Sequence, residues 1–546
     1  MTAPAVRLER LRGELAGRAS SVSVKHGNEA HVEAELLDLP AICERVRDSC
    51  GGRLAMVACS DERRTKGRYV LRYVFDMVGV DLFVVLSAGV DPAEPSFPSI
   101  ASLFPAATRY EREVRDMFGL VAAGSPDPRP MVLHDRWPDG AHPLRKDFAI
   151  GTRPGGTDAR GYEFMEVAGD GVSEIPVGPV HAGVIEPGHF RFSVLGESIV
   201  NLETRLFYAH RGVEKLAEGM TLDQALLLSE RISGDEAVAN STAFCQAIER
   251  AAGAEAPRRA TETRAICAEL ERIYNHIGTL AGLTLDAGFA YGASRLLLLK
   301  ERVMSLNEDF TGSRLLFGVN RLGGVGVDAL LVAGEVSETV SAVLEDFRKV
   351  VEAIRDESSV IDRLSGTGTI APGLAFELGL QGIVARSSGV DVDTRRDHPY
   401  GAYGLLRVDK HHDTRRQATE FGVKLAKARG DVLARFDSRV DEVEGSAEII
   451  DQLLGKMGGD GTLTVPVAGE MLEPFASALG YAESHRGRTL HWVVIGDDRD
   501  SLLRYKVRTA SFANWPAIEV AVLNDIVADF PLINKSLDLS YAANDL

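Results

Sequence analysis

Two long apolar stripes with the period of an α-helix set the strongest limit on how this chain can fold. Within residues 266–280, and again within residues 336–354, apolar side chains recur at spacings of three and four. Each stripe needs other helices to cover it, because it would otherwise expose a continuous apolar face to water. The sequence therefore predicts a helical core in the second half of the chain.

The first part of the chain shows the period of a β-strand instead. From Tyr69 to Met77 the apolar residues alternate with others, so that Arg72 and Asp76 fall on the opposite face. This alternation predicts a strand in a sheet that is covered on one face only, followed by a turn and a second strand at residues 82–86. With a helix predicted at residues 110–117, residues 1–150 form an expected α/β domain.

Two irregular segments follow the predicted strands and helix, one at the end of this domain and one after it. Residues 124–143 are rich in proline and should lie extended across a neighbouring surface, and the Gly-rich residues 151–175 are the predicted linker. A short strand is predicted at residues 491–495, after the Gly-rich residues 458–461. The expected fold class is α+β: an N-terminal α/β domain, then a mainly α-helical domain with small β pieces at 176–546.

Charge and composition exclude several classes of protein. The formal net charge of -18 argues against binding to nucleic acid or anionic lipid. No apolar run reaches the roughly 20 residues that a membrane span requires, and the charged N-terminus is unlike a signal peptide, so we expect a soluble, cytoplasmic chain. Five cysteines form no CxxC pair, which disfavours a zinc ribbon or a ligated iron–sulfur cluster, and no GxGxxG opens a helix after a strand.

A dense motif ends the first domain. Residues 110–119 read YEREVRDMFG, and they are followed by PDPR at 126–129 and PLRKDF at 143–148. This pattern resembles the C-type subunit of respiratory NADH–quinone oxidoreductase (complex I) and its counterpart in membrane-bound hydrogenases. Arg109 departs from the pattern, which usually has a tryptophan there.

The rest of the chain resembles the partner of that protein, namely the D-type subunit of complex I or the large subunit of membrane-bound (group 4) [NiFe] hydrogenases. The matching motifs are PVGPVH at 176–181, EPGHF at 186–190, HRGVEK at 210–215, ERIYNH at 271–276, TGSR at 311–314, RLGG at 321–324 and RDHPY at 396–400. The EPGHF spelling is closer to the hydrogenase branch, which includes the formate hydrogenlyase and hydrogenase-4 large subunits. The resemblance thus implies a fused C/D-type subunit.

The resemblance also implies where a nickel–iron centre would be held. That family uses two CxxC pairs, and here Ser233 and Glu236 stand at the first pair while Ser540 and Ala543 stand at the second. Soft metals of this kind need thiolate ligands, which serine, glutamate and alanine do not supply. We therefore expect no [NiFe] centre and no metal ligand set in this chain.

Three interpretations remain for the polar residues at these positions. Ser233, Asp235, Glu236, Asp538 and Ser540 offer oxygen atoms that suit a hard cation such as magnesium or calcium. Alternatively, they fill a vacated cavity as a set of hydrogen-bonded polar groups. A third role is proton relay, for which Glu236 is the first candidate.

The candidate catalytic residues are Glu236, His181, His189, Arg486 and Asp538. Arg486 matches an arginine that lies over the metal site in hydrogenases, although His485 replaces the proline of that motif. His181 matches a histidine motif of the quinone site, and a histidine can donate a proton to a quinone oxygen near neutral pH. However, Ile185 stands where complex I has a second histidine, residues 231–240 contain no tyrosine, and a structural role for both histidines is equally open.

The resemblance implies a subunit of a membrane-associated complex I-like or hydrogenase-like oxidoreductase. It would line a redox or ion-coupling cavity next to the small B-type iron–sulfur protein of complex I-like assemblies, which carries a [4Fe–4S] cluster. Quinone is a possible acceptor, NADH would be oxidised on other subunits, and no nucleic acid is expected. Membrane ion-translocating subunits would hold the chain on the inner face of the cell membrane. The alternative is a non-catalytic scaffold or conformational-coupling subunit.

Overall fold

The structure is a computed structural model that describes residues 3–15, 17–158, 161–181, 185–406, 428–458 and 461–546. It confirms the expected fold class, with a sheet-based N-terminal module followed by a mainly helical one. The predicted strand at 491–495 is found, whereas residues 459 and 460 of the preceding Gly-rich segment lie outside the described residues. No helix in the described ranges is long and apolar enough to cross a membrane.

The N-terminal module is a five-stranded sheet with helices packed on it. Its elements are α1 (Ala3–Glu14), β1 (Ala19–Lys25), β2 (Glu29–Ala34), α2 (Leu39–Asp48), β3 (Gly52–Glu62), α3 (Arg63–Lys66), β4 (Arg68–Met77), β5 (Phe83–Val90), β6 (Ser96–Pro98), α4 (Ala107–Phe118) and β7 (Val121–Ala123). The sheet order is β1-β2-β5-β4-β3, with only the β2–β5 pair parallel. The predicted strands at 69–77 and 82–86 and the predicted helix at 110–117 correspond to β4, β5 and α4.

The prediction that this sheet is covered on one face only is wrong. Asp76, on the face expected to be open, is 7% exposed, and its carboxylate binds His398 and Arg488 of the second module. The Arg72 guanidinium lies 4.6 Å from the ring of Trp492. The second module therefore covers this face of β4, and it pairs the polar residues there through ion pairs and a cation–π contact.

The second module is built around α8. Its elements are β8 (Val172–Val177), β9 (His189–Leu195), β10 (Ser198–Arg205), α5 (Val213–Leu216), α6 (Leu222–Ser229), α7 (Ala237–Ala252), α8 (Arg258–Asp286), α9 (Ala290–Thr311), β11 (Asn320–Arg321), β12 (Gly324–Val325), α10 (Ala333–Asp356), α11 (Ser358–Leu364), α12 (Pro372–Glu377), α13 (Gly382–Ser387), α14 (Thr394–Asp397), α15 (Val432–Lys456), β13 (Ser477–Ser484), β14 (Gly487–Ile495), β15 (Leu502–Arg508), α16 (Ala510–Asn514), α17 (Pro516–Ala521), α18 (Phe530–Leu537) and α19 (Tyr541–Asp545). The two predicted apolar stripes lie on α8 and α10, and α8 packs against α7, α9, α15 and α18.

A small antiparallel sheet, β13-β14-β15, packs against α7. Gly480 of β13 allows this close approach, because a Cβ at that position would lie 1.9 Å from the carbonyl oxygen of Ala243. The tight β13–β14 turn, Ser484 to Gly487, is thereby held over the N-terminal end of α7. This turn carries Arg486.

The Pro-rich residues 124–143 contain no helix or strand and run between the modules. Three consecutive backbone N–H groups, at residues 131–133, donate to one carboxylate oxygen of Asp116 on α4. Farther along, Asp135 forms an ion pair with Arg205 of β10 at 2.7 Å. In the segment expected to be a linker, residues 159 and 160 lie outside the described residues and β8 begins at Val172.

Candidate functional site: a buried polar centre

Three chain segments that are distant in sequence meet at the candidate site. The first is the 3₁₀ turn Gly234–Glu236, which leads into α7. The second is the β13–β14 turn with Arg486, and the third is the connection between α18 and α19, where Asp538 has a left-handed backbone (φ 56°). These segments carry both sets of positions that the resemblance assigns to nickel-binding cysteines. We call the charged side chains at their junction the polar centre: Asp235, Glu236, Arg486 and Asp538.

Arg486 holds the polar centre together. Its guanidinium is 6% exposed and donates from Nη2 to Asp235 Oδ2 at 2.7 Å, while its Nε donates to the backbone oxygen of Asp538. Glu236 Oε2 lies 3.5 Å from Nη1, and Asp538 Oδ1 lies 3.9 Å from Nη2. One planar cation therefore links all three segments, which suits the fixed fork of an arginine.

The charges of the polar centre reinforce one another. Burial alone would raise the pKa of the Asp235 carboxyl, but the charge and hydrogen bond of Arg486, with the contributions of His485 and Ser233, together outweigh burial and lower it. Burial also acts to raise the pKa of Asp538, but Arg486 and the neighbouring His485 and Arg439 together lower it, with Arg486 contributing most. In turn, the carboxylates raise the pKa of Arg486 against the effect of burial. Asp235, Asp538 and Arg486 are all ionised near neutral pH.

Glu236 is the most deeply buried acid of the centre, with 2% of its surface exposed. Its Oε1 accepts a hydrogen bond from Ser484 at 2.6 Å. Its Oε2 and the Nη1 of Arg486 have no hydrogen-bond partner among the described residues, and neither has Asp538 Oδ2. Such unsatisfied buried atoms are uncommon, and they mark this centre as a place where a proton, a water or a ligand group can be accommodated.

The polar centre continues into a second layer that the sequence did not reveal. Asp538 Oδ2 lies 3.5 Å from His485 Nε2 and 3.7 Å from Arg439 Nη1. Arg439 donates to His276 Nδ1 at 3.1 Å, and His276 Nε2 lies 3.0 Å from Glu442.

His276 is neutral in this arrangement. Because an arginine can only donate, Nδ1 must accept from Arg439, and the single ring proton is left on Nε2 for Glu442. Burial lowers the pKa of His276 to about 3 and outweighs the carboxylate of Glu442. The signal that could have found this layer is the placement of Arg435, Arg439 and Glu442 on one face of α15.

The four positions that would hold nickel and iron do not fit that group. Ser233 Oγ and Ser540 Oγ lie 3.2 Å apart, and the Ser540 hydroxyl caps α19 by accepting from the backbone N–H of Ala543 at 3.1 Å. Ala543 has no ligating atom, and Glu236 already faces Arg486 and Ser484. A buried guanidinium beside two hydroxyls and no thiolate disfavours a cationic metal centre.

The hard-cation interpretation receives no geometric support either. Within the described ranges, no group of three or more His, Cys, Asp or Glu side chains is arranged to hold a metal ion. The Ser233 hydroxyl donates to Asp235, so that carboxylate is engaged by Ser233 and Arg486 together. The five cysteines are all buried, and none forms a disulfide bond. Burial raises the pKa of the Cys267 thiol far above its usual range, which disfavours the thiolate that a metal would need.

The two candidate histidines are not bonded to the polar centre in the part of the chain that the structure describes. His181 is exposed, and its ring lies 5.7 Å from that of Phe190. His189 is buried at the start of β9, where its Nδ1 lies 3.3 Å from the Gly178 carbonyl oxygen and burial lowers its pKa. Across the described residues, no hydrogen bond or ion pair joins either histidine to Arg486, Glu236 or Asp538.

Comparison with known proteins agrees with this two-module organisation. The family model described as "Respiratory-chain NADH dehydrogenase, 30 Kd subunit" matches residues 32–154. The model described as "Respiratory-chain NADH dehydrogenase, 49 Kd subunit" matches residues 286–474. The two matches lie in the sheet module and the helical module, respectively.

Individual relatives cover nearly the whole chain. Formate hydrogenlyase subunit 5 of Escherichia coli is 36% identical over 515 residues, which are 93% of this chain and 87% of that protein. The C/D subunit of the NADH-quinone oxidoreductase of Phocaeicola vulgatus is 28% identical over 495 residues, 87% of this chain and 91% of that one. A chain in the structure of the membrane-bound sulfane sulfur reductase, an archaeal respiratory membrane complex, superposes with a TM-score of 0.61 at 27% identity, covering 69% of this chain and 98% of that chain. This chain therefore belongs to the family of fused C/D-type proteins that is shared by complex I and the membrane-bound hydrogenases.

Proposed function

We propose that this chain is a subunit of a membrane-associated, complex I-like oxidoreductase in which the polar centre takes the place of a [NiFe] centre. The observation that carries the proposal is the guanidinium of Arg486, which joins the turn at 233–236 to the connection at 538–540. In hydrogenase-type relatives the metal would hold these two segments together. Here an arginine and two ionised carboxylates do so.

The chain's own residues give this centre a capacity to hold protons rather than metals. Glu236 is enclosed, accepts from Ser484 and keeps one oxygen free of hydrogen bonds among the described residues. We propose that this free oxygen is the point at which a proton, carried by water, enters or leaves the polar centre. We infer that the polar centre faces a redox partner, namely the small B-type iron–sulfur protein of complex I-like assemblies with its [4Fe–4S] cluster. The acceptor is a quinone or another oxidant.

Metal analysis of the purified native complex tests the absence of nickel. We expect iron from the partner's cluster but nickel far below one atom per complex, measured by mass spectrometry in the same sample. The iron signal serves as the internal control, because it shows that metal centres survived the purification. One nickel per complex would contradict the proposal.

A non-catalytic scaffold or conformational-coupling subunit is the second candidate, and the closed pairing of Arg486 with Asp235 and Asp538 favours it. Turnover of the complex with Glu236→Gln and, separately, His181→Gln separates the two. A redox or proton role predicts a loss of about 100-fold or more for Glu236→Gln, the range found when an acid–base group is removed. The exposed Glu345→Gln is the control. Unchanged turnover in both site variants would favour the scaffold.

A further inference from the structure

A single histidine joins the two modules through both of its ring nitrogens. His398, immediately after α14, is fully buried, with Nε2 2.8 Å from Asp76 Oδ1 and Nδ1 3.0 Å from Asp81 Oδ1. Asp76 belongs to β4 and Asp81 to the turn before β5, so both carboxylates come from the N-terminal sheet. The ring also stacks on Phe83 of β5, with centroids 4.1 Å apart.

This geometry fixes the protonation state of His398. An ionised carboxylate only accepts hydrogen bonds, so both ring nitrogens must donate and the ring must be an imidazolium. A neutral imidazole has one N–H and would direct a lone pair at the other carboxylate. The contact as it stands therefore needs one more proton than a neutral histidine carries.

The two carboxylates are held unequally. Asp76 is nearly enclosed and is also bound by Arg488 Nη2 at 2.7 Å. The Asp81 side chain is 41% exposed, and it accepts from Asn28 at 2.7 Å. Asp81 and Asn28 also line a cavity of about 800 Å³ at the junction of the two modules. Water can replace the contact to Asp81 more readily than the contact to Asp76.

We propose that His398 is a pH-sensitive joint between the modules: loss of its proton keeps the bond to Asp76 and releases Asp81 toward the cavity. The proton that remains would sit on Nε2, facing Asp76. The turn at residues 78–82 would then be tied to the second module through Asn28 and Tyr481 rather than through His398. The neutral ring would stay stacked on Phe83.

The charges around the His398 ring decide whether stability rises or falls as the pH increases. Burial would lower the pKa of His398, but the hydrogen bonds and charge of Asp76, with Asp81, outweigh it and raise the pKa despite Arg488. The charge of Arg250 acts on Asp81, and Arg53 lies near Asp76, Arg488 and Asp397. Because the folded pKa is raised, the stabilisation is complete below about pH 6.5 and is lost as the pH rises through the folded pKa.

The thermal unfolding midpoint of the full chain, measured from about pH 6 to about pH 9.5, tests the joint. The wild type should lose stability in a step on the alkaline side, and His398→Gln should lack that step. Asp81→Asn removes one opposite charge, so the step should move to lower pH by about 1 unit. His31→Gln, a histidine beside the single carboxylate Glu29 at 3.0 Å, is the matched control and should keep the wild-type step.

Two outcomes would overturn the proposal. An unchanged alkaline step in His398→Gln would assign the step to another group. An unshifted step in Asp81→Asn would show that Asp81 does not act on the histidine. If His398→Gln does not fold, the Asp81→Asn and His31→Gln profiles still decide the question, because a merely structural histidine would not shift its titration with the charge of Asp81.

Discussion

Arg486 is the residue on which the polar centre depends. It is a buried cation with carboxylates from two segments and a backbone oxygen from one of them as its partners. Burying an ion is costly, and partners that are already in place offset the cost only as a set. Removing one member therefore leaves the other charges buried without a partner. The resulting loss of free energy of unfolding should exceed the contribution of any single hydrogen bond.

Replacing Arg486 with methionine should lower the free energy of unfolding by about 3 kcal/mol at neutral pH. This is the lower end of the cost of breaking a buried ion pair, because Asp235 is half-buried and water can reach it. Arg486→Lys keeps the positive charge but not the planar, forked guanidinium, so its free energy of unfolding should fall by less than that of Arg486→Met. Urea unfolding of the full chain measures both variants.

The pH dependence of the same variants gives a second test. Asp235 and Asp538 have lowered pKa values in the fold, so their stabilisation is present above their unfolded pKa of about 4 and is lost as the pH falls toward the folded values. The difference between wild type and Arg486→Met should therefore shrink on acidification below about pH 4. A difference that does not change with pH would mean that Arg486 acts by packing alone.

The residue pairings were only partly predictable from sequence. The resemblance put Arg486 over the positions of the metal ligands, and in the structure its guanidinium lies 3.5 Å from Glu236 and 3.9 Å from Asp538. The pairing of Arg439 with His276 was not predicted, because buried charges pair across segments whose contact depends on the whole fold. The spacing of Arg435, Arg439 and Glu442 marks a charged face of α15, but it does not say which segment that face meets.

At the scale of elements, the period of the apolar residues predicted the positions of helices and strands well. It predicted less well which of their faces are covered. The strand at β4 and the stripes on α8 and α10 follow from local pattern alone. The polar face of β4 looked solvent-exposed, since alternation cannot distinguish water from a layer of ion pairs. Part of that layer is supplied by Arg488 and Trp492 of β14, which lie far away in the sequence.

Asp116 should decide whether the Pro-rich segment stays on α4. One carboxylate oxygen accepts three backbone N–H groups, so Asp116→Ala leaves three donors unpaired near a buried position. Each unpaired donor costs about 1 kcal/mol or more, and we expect faster cleavage of residues 124–143 in limited proteolysis. Asp116→Asn retains an acceptor and should be intermediate. Equal cleavage in all three proteins would contradict this role.

At the scale of the whole molecule, the two modules share one core. A single hydrophobic cluster includes Val85 of the first sheet and Leu270 of α8. The fused organisation was predicted from motifs, whereas the extent of this contact was not. Glu214 illustrates the difference: its place in the first turn of α5 gives no sign of a partner, yet it is 5% exposed and bound by Arg504 and Lys506.

Lys506 links the modules directly, since its ammonium group bridges Glu113 of α4 and Glu214 of α5. Lys506→Met leaves the partly buried Glu113 facing the buried Glu214 and should cost about 3 kcal/mol. We expect calorimetry of the full chain to change from one unfolding transition to two, because the first module loses an ionic link to the second. Lys349→Met removes an exposed pair with Glu345 at 2.8 Å and is the matched control, with an expected cost below about 1 kcal/mol. A single, equally shifted transition in both variants would show that apolar packing alone couples the modules.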